Sequence, residues 1–249
     1  MSNRIREEFL QKKEPVRLNK YLSEAGVCSR READRLIESG RVTVDGRLAQ
    51  TGMRITPGQE VRVGRKVVSG KDEMIVLAVN KPRGIVCTEE KRERNSIIRF
   101  LNYPSRITYV GRLDKDSRGL LLMTNNGDII NRMMRASNHH EKEYKVTVDQ
   151  EVTDDFLKQM SEGVHILDTV TRPCRVTRIG KYTFSIILTQ GLNRQIRRMC
   201  EALGYQVKDL LRVRVMNIRL GSLREGEYRE LTDRELEELY DLLRDTPQR

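Results

Sequence analysis

One carboxylate in this sequence stands between two cations in a segment bounded by glycines. Asp114 lies between Arg112 and Lys115 within Gly111–Gly119, directly before the apolar run Leu120–Met123. Flanking cations favour the ionised form of a carboxylate and hold it in place, as a nucleophile or a general base requires. An exposed turn with a weak ion pair has the same composition, so other motifs must support Asp114 as a candidate for chemistry.

A lysine and a tyrosine form a second candidate pair. Lys142 and Tyr144 stand two residues apart in an alternating segment that predicts a strand, which places both side chains on one face. A tyrosine beside a cation can stack on a nucleobase and still offer its hydroxyl group. An ordinary half-buried strand tyrosine is the alternative interpretation.

The third group consists of three arginines in the segment 191–199, which are Arg194, Arg197 and Arg198. The spacing of the apolar residues predicts a helix that is capped by Asn193, with these cations projecting from its first turns. Cations near a helix N-terminus oppose the helix dipole, which is unfavourable unless an anion binds there. Pairing with Glu201 is the alternative, although such surface pairs contribute little.

The composition indicates a nucleic-acid partner. The chain has 249 residues and a mass of 29.0 kDa, long enough for two domains. Its formal net charge of +11 and pI of about 9.7 suit a phosphate backbone or an anionic membrane. The longest apolar run, Met74–Val79, is far shorter than a membrane-spanning helix, and no secretory signal precedes it. We therefore expect a cytoplasmic protein that binds nucleic acid and no membrane.

Metal and redox chemistry have few candidate residues. The four cysteines are widely dispersed without a C-x-x-C pair, and the chain holds only three histidines. This pattern predicts neither a disulfide framework nor a zinc site. We expect no metal and no cofactor, and we expect the cysteines to be small buried residues in a reducing compartment.

The N-terminal quarter of the chain predicts a small basic unit. Residues 1–14 are charged and lack an apolar stripe, which is typical of a mobile arm, whereas residues 15–68 predict a compact unit. That unit should contain two helices, the second opened by a capping box at Ser29–Glu32, and a hairpin that turns at Asp45. More than half of the excess positive charge lies in the first 70 residues. A solvated helix face explains any two of these cations, but explains less well their convergence from two adjacent helices.

This unit resembles the small RNA-binding module shared by a small-subunit ribosomal protein, tyrosyl-tRNA synthetases and several RNA-modifying enzymes. The resemblance rests on the motifs R-L-N-K-Y-L and S-R-R-E-A-D-R-L-I-E-S-G-R-V-T-V-D-G, and it spans residues 16–64. It implies that the two-helix surface binds structured RNA. The implied RNA contacts are Arg17, Lys20, Arg30, Arg31 and Arg35.

The remainder of the chain predicts a second, larger domain. A short polar linker over 69–73 leads to residues 74–244, where predicted strands alternate with helices without an internal repeat. A capping box at Thr232–Glu235 opens the last predicted helix. The expected fold class is α+β, with a two-helix-plus-hairpin domain followed by a domain around one mixed or antiparallel sheet.

Together, the motifs resemble those of the RsuA/Rlu group of bacterial pseudouridine synthases. In chain order they are N-K-P-x-G at 80–84, the 111–119 segment with its strand, K-x-Y at 142–144 and R-Q-I-R-R-M at 194–199. Their joint occurrence is far more specific than any one of them. The run 135–144 most closely resembles the F-type large-ribosomal-subunit enzymes.

The resemblance implies a reaction and a role for each motif residue. The enzyme would cleave the C1′–N1 bond of a uridine in RNA, rotate the base and rejoin it through C5. Asp114 would be the essential carboxylate, and Arg197 would pair with it. Arg112 would help to flip or replace the target base, and Tyr144 would pack against that base. We expect further RNA contacts from Lys142, Arg194 and Arg198.

Large-subunit ribosomal RNA is the favoured partner, and we expect a monomer. Small-subunit ribosomal RNA and transfer RNA stay open as alternative substrates. A different class of protein is also kept, namely a non-catalytic RNA-binding factor for ribosome assembly with a decayed second domain. The joint presence of Asp114, Tyr144 and Arg197 favours the enzyme, because decay should have scattered these motifs.

Overall fold

The chain folds into two compact units. The computed structural model describes residues 15–68, 74–90, 92–134 and 140–244. The first unit consists of the chain up to Ile75 together with two short later segments, 103–107 and 124–127. The second unit consists of the remaining residues. The predicted arm over 1–14, the predicted linker over 69–73 and the first residues of the F-type run, 135–139, lie outside the described residues.

The first unit packs two helices against a small sheet. Its elements are β1 (Val16–Arg17), α1 (Leu18–Glu24), α2 (Arg30–Glu38), β2 (Val42–Val44), β3 (Arg47–Leu48), β4 (Arg54–Ile55), β5 (Val61–Val63) and β6 (Lys66–Val67). Four of the described strands pair in the order β3-β2-β5-β6, and β1 pairs with β4. Leu18, Leu22 and Ala33 on the helices are buried together with Val42 and Val44 on the sheet.

The local signals read from the sequence of this unit are confirmed. Ser29 caps α2, since its Oγ accepts a hydrogen bond from the N–H of Glu32 at 3.2 Å. Asp45 and Gly46 turn the β2–β3 hairpin with φ angles of 50° and 78°. Both residues therefore have the left-handed backbone that a two-residue hairpin turn of the primed type requires.

The second unit is built on one large sheet. The elements from residue 76 onward are β7 (Val76–Lys81), α3 (Ile97–Leu101), β8 (Thr108–Val110), β9 (Arg118–Thr124), α4 (Gly127–Met134), β10 (Lys142–Val148), α5 (Asp154–Glu162), β11 (His165–Ile166), β12 (Thr169–Val170), β13 (Arg175–Gly180), β14 (Thr183–Leu188), α6 (Gln195–Ala202), β15 (Val207–Val215), β16 (Ile218–Arg219), β17 (Tyr228–Glu230) and α7 (Asp233–Arg244). Nine described strands join in the order β13-β14-β10-β15-β9-β7-β17, with β16 on β15 and β8 on β9. β10 runs antiparallel to β14 and β15, whereas β15 and β9 are parallel. This mixed sheet with its helices confirms the α+β fold class.

A core layer between the sheet and two helices fixes β10 in place. Val146 on β10 and Phe184 and Ile186 on β14 are fully buried in this layer. Phe156 of α5 and Met199 of α6 pack against them, and the rings of Phe156 and Phe184 meet edge to face with centroids 5.3 Å apart. Burial of each large apolar side chain contributes about 1.5–3 kcal/mol. The middle strands of the sheet are therefore a rigid support for the side chains at their ends.

Most predicted elements of the second unit are present with small shifts. The apolar run Met74–Val79 supplies most of β7, which spans Val76–Lys81. The last helix begins with a complete capping box, because the N–H of Thr232 donates to the Glu235 carboxylate and the N–H of Glu235 donates to the Thr232 hydroxyl. No described helix is long and apolar enough to cross a membrane.

The cysteines behave as packing residues. All four are free thiols, and three of them are buried. Burial raises the pKa of Cys200 to about 12 and that of Cys174 to about 11, so both thiols stay protonated near neutral pH. Among the described residues, no three His, Cys, Asp or Glu side chains are grouped so that they could hold a metal ion.

Candidate active site

A loop anchored by backbone hydrogen bonds carries Asp114. It joins β8 to β9, and the residues on either side of Asp114 are tied to the segment that follows β7. The N–H of Leu113 donates to Sγ of Cys87 at 3.5 Å, and the carbonyl of Lys115 accepts from the N–H of Gly84 at 2.8 Å. The backbone is thus fixed on both sides of Asp114, while its own side chain is half-buried.

Three charged side chains around Asp114 face solvent, whereas Leu113 and Ser117 are buried. Arg112, Lys115 and Asp116 are exposed, and the carbonyl of Asp114 accepts from the N–H of Ser117 at 3.1 Å to close a turn. The carboxylate therefore lies at the surface end of a rigid turn, where a substrate can reach it. Arg112 is exposed beside it, as a residue that displaces a base would need to be.

Lys81 holds the neighbouring turn from inside the protein. This lysine is 0% exposed, and its Nζ donates to the carbonyls of Pro82 at 2.8 Å and Ile85 at 2.7 Å. Burial lowers the pKa of Lys81, and the charges of Asp114 and Asp116 act in the opposite direction. The motif at 80–84 is recognisable in the sequence, but the role of this ammonium group is not, since its burial is visible only in the folded chain.

The side chain of Arg197 on α6 contacts the backbone of the Asp114 loop. One terminal nitrogen (NH2) donates to the carbonyl of Asp116 at 3.1 Å and the other (NH1) to the carbonyl of Val207 at 3.3 Å. Burial lowers the pKa of Arg197 and the Arg194 charge lowers it further, whereas the Asp114 carboxylate raises it. Within the described residues, no ion pair of 4.0 Å or less joins Arg197 to Asp114, and the buried Nε of Arg197 has no hydrogen-bond partner. The pairing with Asp114 stays a prediction.

The first turn of α6 corrects the predicted cap. The N-cap residue is Arg194, which has left-handed backbone (φ 51°, ψ 33°) and makes no side-chain cap bond. Asn193 lies outside the helix, where its two oxygens accept from Arg198 at 3.1 and 3.4 Å. The prediction of Asn193 as the cap is wrong because left-handed backbone is rare for arginine and cannot be foreseen from its type. In the described part of the chain, no ion pair joins these arginines to Glu201, the alternative partner.

Tyr144 and Lys142 lie on β10, in the middle of the sheet. Tyr144 is half-buried against the core, opposite Ile186 on β14 and Arg212 on β15. Lys142 donates through Nζ to the carbonyl of His140 at 3.3 Å, and burial together with the Arg212 charge lowers its pKa. Lys142 is thus a half-buried cation, and its predicted contact with RNA stays a prediction.

Arg212 connects the strand of Tyr144 to the strand that follows Asp114. It is only 3% exposed, and its Nε donates to the carbonyl of Leu120 at 2.7 Å. Its register partners are Tyr144 on β10 and Gly119 on β9. β15 therefore lies between β10, which carries Tyr144, and β9, which follows the Asp114 loop. Arg212 is not among the residues predicted from the sequence, although an arginine in an apolar strand run is a signal that could have identified it.

Cations from four elements of the first unit line one surface pocket. They are Arg17, Lys20, Arg30 and Arg54, with Asn19 beside them. The Asn19 amide donates to both carboxylate oxygens of Asp34, at 2.9 and 3.2 Å, and so ties α1 to α2. This bond fixes the angle at which the two helices present their cations.

Three of the five cations predicted to bind RNA thus meet in one place. Arg31 and Arg35 are exposed on α2 but do not line the pocket. Arg54 does line it and was missed, because it reaches Arg17 only through the pairing of β1 with β4, in which the two residues are direct partners. No pattern in the local sequence indicates that pairing.

Comparison with known proteins decides the family. Residues 75–202 match the family described as RNA pseudouridylate synthase, and residues 16–61 match the S4 domain. The chain belongs to the RNA pseudouridylate synthase family. The matched range of this synthase contains the Asp114 loop, Tyr144 and Arg197, whereas β15 lies beyond it.

Relatives of this synthase cover most of its length. It is 51% identical over 230 residues to the Dual-specificity RNA pseudouridine synthase RluF of Escherichia coli (strain K12), covering 92% of this chain and 79% of the relative. It is 34% identical over 232 residues to the Ribosomal large subunit pseudouridine synthase B of Bacillus subtilis (strain 168), covering 90% and 95%. A solved structure with the description "Crystal structure of pseudouridylate synthase" matches with a TM-score of 0.66 and 30% identity, covering 90% of this chain and 99% of that one. The resemblance to pseudouridine synthases with an S4 module is confirmed, and the protein is an RNA pseudouridine synthase.

Proposed function

We propose that this synthase isomerises a uridine of large-subunit ribosomal RNA, with Asp114 as the essential carboxylate. The observation that carries the proposal is the anchoring of the Asp114 loop. The N–H of Leu113 donates to Cys87, and the carbonyls of Lys115 and Asp116 accept from Gly84 and Arg197, so the loop backbone is tied to the segment after β7 and to α6. A carboxylate on a rigid turn with an open side chain is suited to attack or deprotonate a bound nucleoside.

The reaction separates and rejoins atoms of one nucleotide. The C1′–N1 bond of uridine breaks, the uracil ring rotates while it is held in the site, and a C1′–C5 bond forms. C5 loses its proton and N1 gains one, so the product is an isomer of the substrate. Asp114 acts as the nucleophile at C1′ or as the base that removes a sugar proton. The target base must leave its stack, which costs a few kcal/mol that phosphate contacts of the basic surface offset.

Three further residues assist Asp114 in this proposal, with the roles that the family resemblance implies. Arg112, exposed within the same loop, takes the place of the flipped base in the RNA stack. Tyr144 packs its ring against the uracil. Arg197, whose buried Nε is unpartnered among the described residues, has a donor free for the carboxylate or for the substrate.

The names of the relatives and the charge of the chain support the proposed substrate. The Bacillus subtilis relative is named for the large ribosomal subunit, and the Escherichia coli relative is named as dual-specificity. The S4 unit supplies the phosphate-binding surface of a protein with net charge +11. We propose ribosomal RNA as the partner and a monomer in the cytoplasm as the working form, with transfer RNA as the alternative substrate.

A modification map tests the proposal. Ribosomal and transfer RNA from cells lacking the gene is treated with carbodiimide and read by primer extension, with plasmids that express wild type, Asp114→Asn or Asp116→Asn. Asp116 is the matched control, because its carboxylate lies exposed two residues away in the same loop. One stop in large-subunit RNA should be lost in the deletion strain and restored by wild type and Asp116→Asn, but not by Asp114→Asn.

Other results contradict specific parts of the proposal. Loss of a stop in small-subunit or transfer RNA would support the proposed reaction but contradict large-subunit RNA as the substrate. Restoration by Asp114→Asn would remove Asp114 from the mechanism. No lost stop in any RNA would favour the non-catalytic assembly factor.

A further inference from the structure

One carboxylate outside the motif residues is bound by two arginines from two other elements. Asp209 on β15 accepts from Arg118 twice, at 3.0 Å from Nε to Oδ1 and at 2.6 Å from NH2 to Oδ2. Its Oδ1 also accepts from NH2 of Arg83 at 2.5 Å, and the same NH2 donates to the carbonyl of Lys208 at 3.1 Å. A two-point pair with Arg118 and a second guanidinium leave Asp209 little freedom to move.

The two arginines flank the Asp114 loop. Arg118 is the first residue of β9, directly after the loop ends. Arg83 precedes Gly84, whose N–H donates to the carbonyl of Lys115, the residue after Asp114. Asp209 therefore holds the end of the loop and the turn that supports its middle.

The same stretch of β15 also receives Arg197. Its NH1 donates to the carbonyl of Val207, two residues before Asp209, while its NH2 donates to the carbonyl of Asp116 in the loop. Within the three residues 207–209, β15 thus contacts Arg83, Arg118 and Arg197, three arginines that border the Asp114 loop. These contacts join distant parts of the sequence: Arg118 is 91 residues from Asp209, and Arg83 is 126 residues from it.

Electrostatics favour the bound state of this cluster. Burial raises the pKa of Asp209, but the hydrogen bonds and charges of Arg118 and Arg83 outweigh it, so the pKa lies below its ordinary value. The hydrogen bond from Arg118 to Asp209 correspondingly raises the pKa of Arg118. Glu225 is a weaker third partner, 3.8 Å from NH1 of Arg118. A carboxylate enclosed in this way is a poor direct contact for RNA, because its charge repels phosphate.

We propose that Asp209 is a positioning residue for the synthase reaction, which aims the Asp114 loop by holding Arg83 and Arg118. The inference rests on the proposed role of Asp114 and adds a residue on which that role depends. Without the Asp209 charge, two partly exposed guanidinium groups face each other with Glu225 as the remaining carboxylate, and the turn that carries Asp114 loosens. A shift of about 1 Å in a reacting group can cost about a hundredfold in rate.

The test separates chemistry from RNA affinity. Wild type, Asp209→Asn, Asp209→Ala and Asp209→Glu are compared by single-turnover formation of pseudouridine at saturating RNA and by RNA Kd from filter binding. The matched control is Asp154→Asn, which removes an exposed ion pair of 2.8 Å with Arg178 in the same unit. Thermal unfolding of each variant verifies that it is folded at the assay temperature.

We expect Asp209→Asn and Asp209→Ala to lower the single-turnover rate by about tenfold to a hundredfold. Their RNA Kd should be unchanged or lower, because losing a negative charge strengthens attraction to phosphate. Asp209→Glu should recover more of the rate than Asp209→Asn, because it keeps the charge, and the Asp154 control should stay within about twofold of wild type.

Three results would overturn the proposal. A lower Tm with an unchanged single-turnover rate in every Asp209 variant would show that the cluster stabilises the fold without positioning the loop. A rise in Kd that accounts for the lost activity makes it part of RNA binding. A single-turnover rate in Asp209→Asn equal to that in Asp209→Glu would show that the charge of Asp209 does not set the rate. Failure of the proposed function is distinguishable, since Asp114→Asn would then retain activity whatever the Asp209 variants do.

Discussion

The backbone of Arg212 occupies the space that a side chain at position 119 would need. Gly119 and Arg212 are register partners on the parallel pair β9–β15, and a Cβ on Gly119 would overlap the Arg212 carbonyl and lie 2.7 Å from its nitrogen. Gly119 also has a φ of +104°, which other residues rarely adopt. The close approach of these two strands is what brings the Asp114 loop beside the strand that pairs with Tyr144.

Replacement of Gly119 by alanine should therefore destabilise the second unit strongly. We expect Gly119→Ala to lower the free energy of unfolding by more than about 2 kcal/mol, from the backbone strain and the overlap combined. Urea unfolding measures the change. Gly204→Ala is the control, because Gly204 has a φ of +81° but open space around it, and it should cost about 1 kcal/mol. An equal loss of unfolding free energy in the two variants would mean that β9 and β15 can move apart to accept the new side chain without a cost in stability.

Removal of the buried ammonium group of Lys81 should also cost stability. Lys81→Met keeps the apolar stem but leaves the carbonyls of Pro82 and Ile85 without their donor. We expect the free energy of unfolding to fall by about 1–3 kcal/mol, the typical cost of leaving buried polar groups unsatisfied. Chemical denaturation measures it, and Lys115→Met, which changes an exposed lysine nearby, should stay within about 0.5 kcal/mol of wild type. A midpoint equal to that of wild type in Lys81→Met would show that water replaces the donor.

Charge removal in the first unit should weaken RNA binding in a salt-dependent way. We expect the combined change of Arg17, Arg30 and Arg54 to alanine to raise the RNA Kd and to reduce the slope of log K against log salt by about 0.7–0.9 for each lost phosphate contact. Filter binding between low and high salt measures the slope. Arg65→Ala removes an exposed cation of the same unit that does not line the pocket, and it should leave the slope unchanged. Equal slopes in the triple variant and wild type would place the RNA elsewhere.

Acid should selectively weaken the attachment of the last helix. Glu235 accepts two hydrogen bonds of 2.7 Å from Arg229 and one of 2.9 Å from the N–H of Thr232. The Arg229 hydrogen bond is the largest cause that lowers the pKa of Glu235 below its ordinary value of 4.5. Because the folded pKa is the lower one, the stabilisation is complete above about 4.5 and is lost as the pH falls through the folded value.

A pH series of Tm values tests this sign. The difference in Tm between wild type and Glu235→Gln should be constant near neutral pH and should shrink below about pH 4.5. Glu237→Gln, on the same helix, should give no difference that depends on pH in this way. A gap between wild type and Glu235→Gln that widens in acid would contradict the assignment.

The elements that the sequence predicted well depend on residues that are close together in the chain. The Ser29 cap and the capping box at Thr232 each join groups three residues apart, and the turn at Asp45 uses two adjacent residues, so their chemistry is visible in the local sequence. The prediction of Asn193 as a helix cap was wrong for a local reason. The left-handed backbone of Arg194 makes that residue the N-cap, one position later.

The candidate site divides in the same way. Asp114, Tyr144 and Arg197 could be selected from the sequence, because residue types and spacing within short motifs identify them. The residues that were missed act across long separations: Arg54 through strand pairing, Lys81 through burial, and Asp209 and Arg212 through contacts with β9. No local pattern contains these relations. Those of Asp209 and Arg212 arise when β15 pairs with β9 and β10, and that of Arg54 arises when β1 pairs with β4.

The sequence alone therefore determined the α+β class, the basic RNA-binding character and the identity of the motif residues, because composition, periodicity and short motifs are properties of neighbouring residues. The tertiary structure alone decided how those motifs are held. The parallel pairing of β15 with β9 requires Gly119, buries Arg212 and brings Asp209 to Arg118. Such contacts depend on packing between segments about a hundred residues apart, and that packing is set by the whole folded sheet.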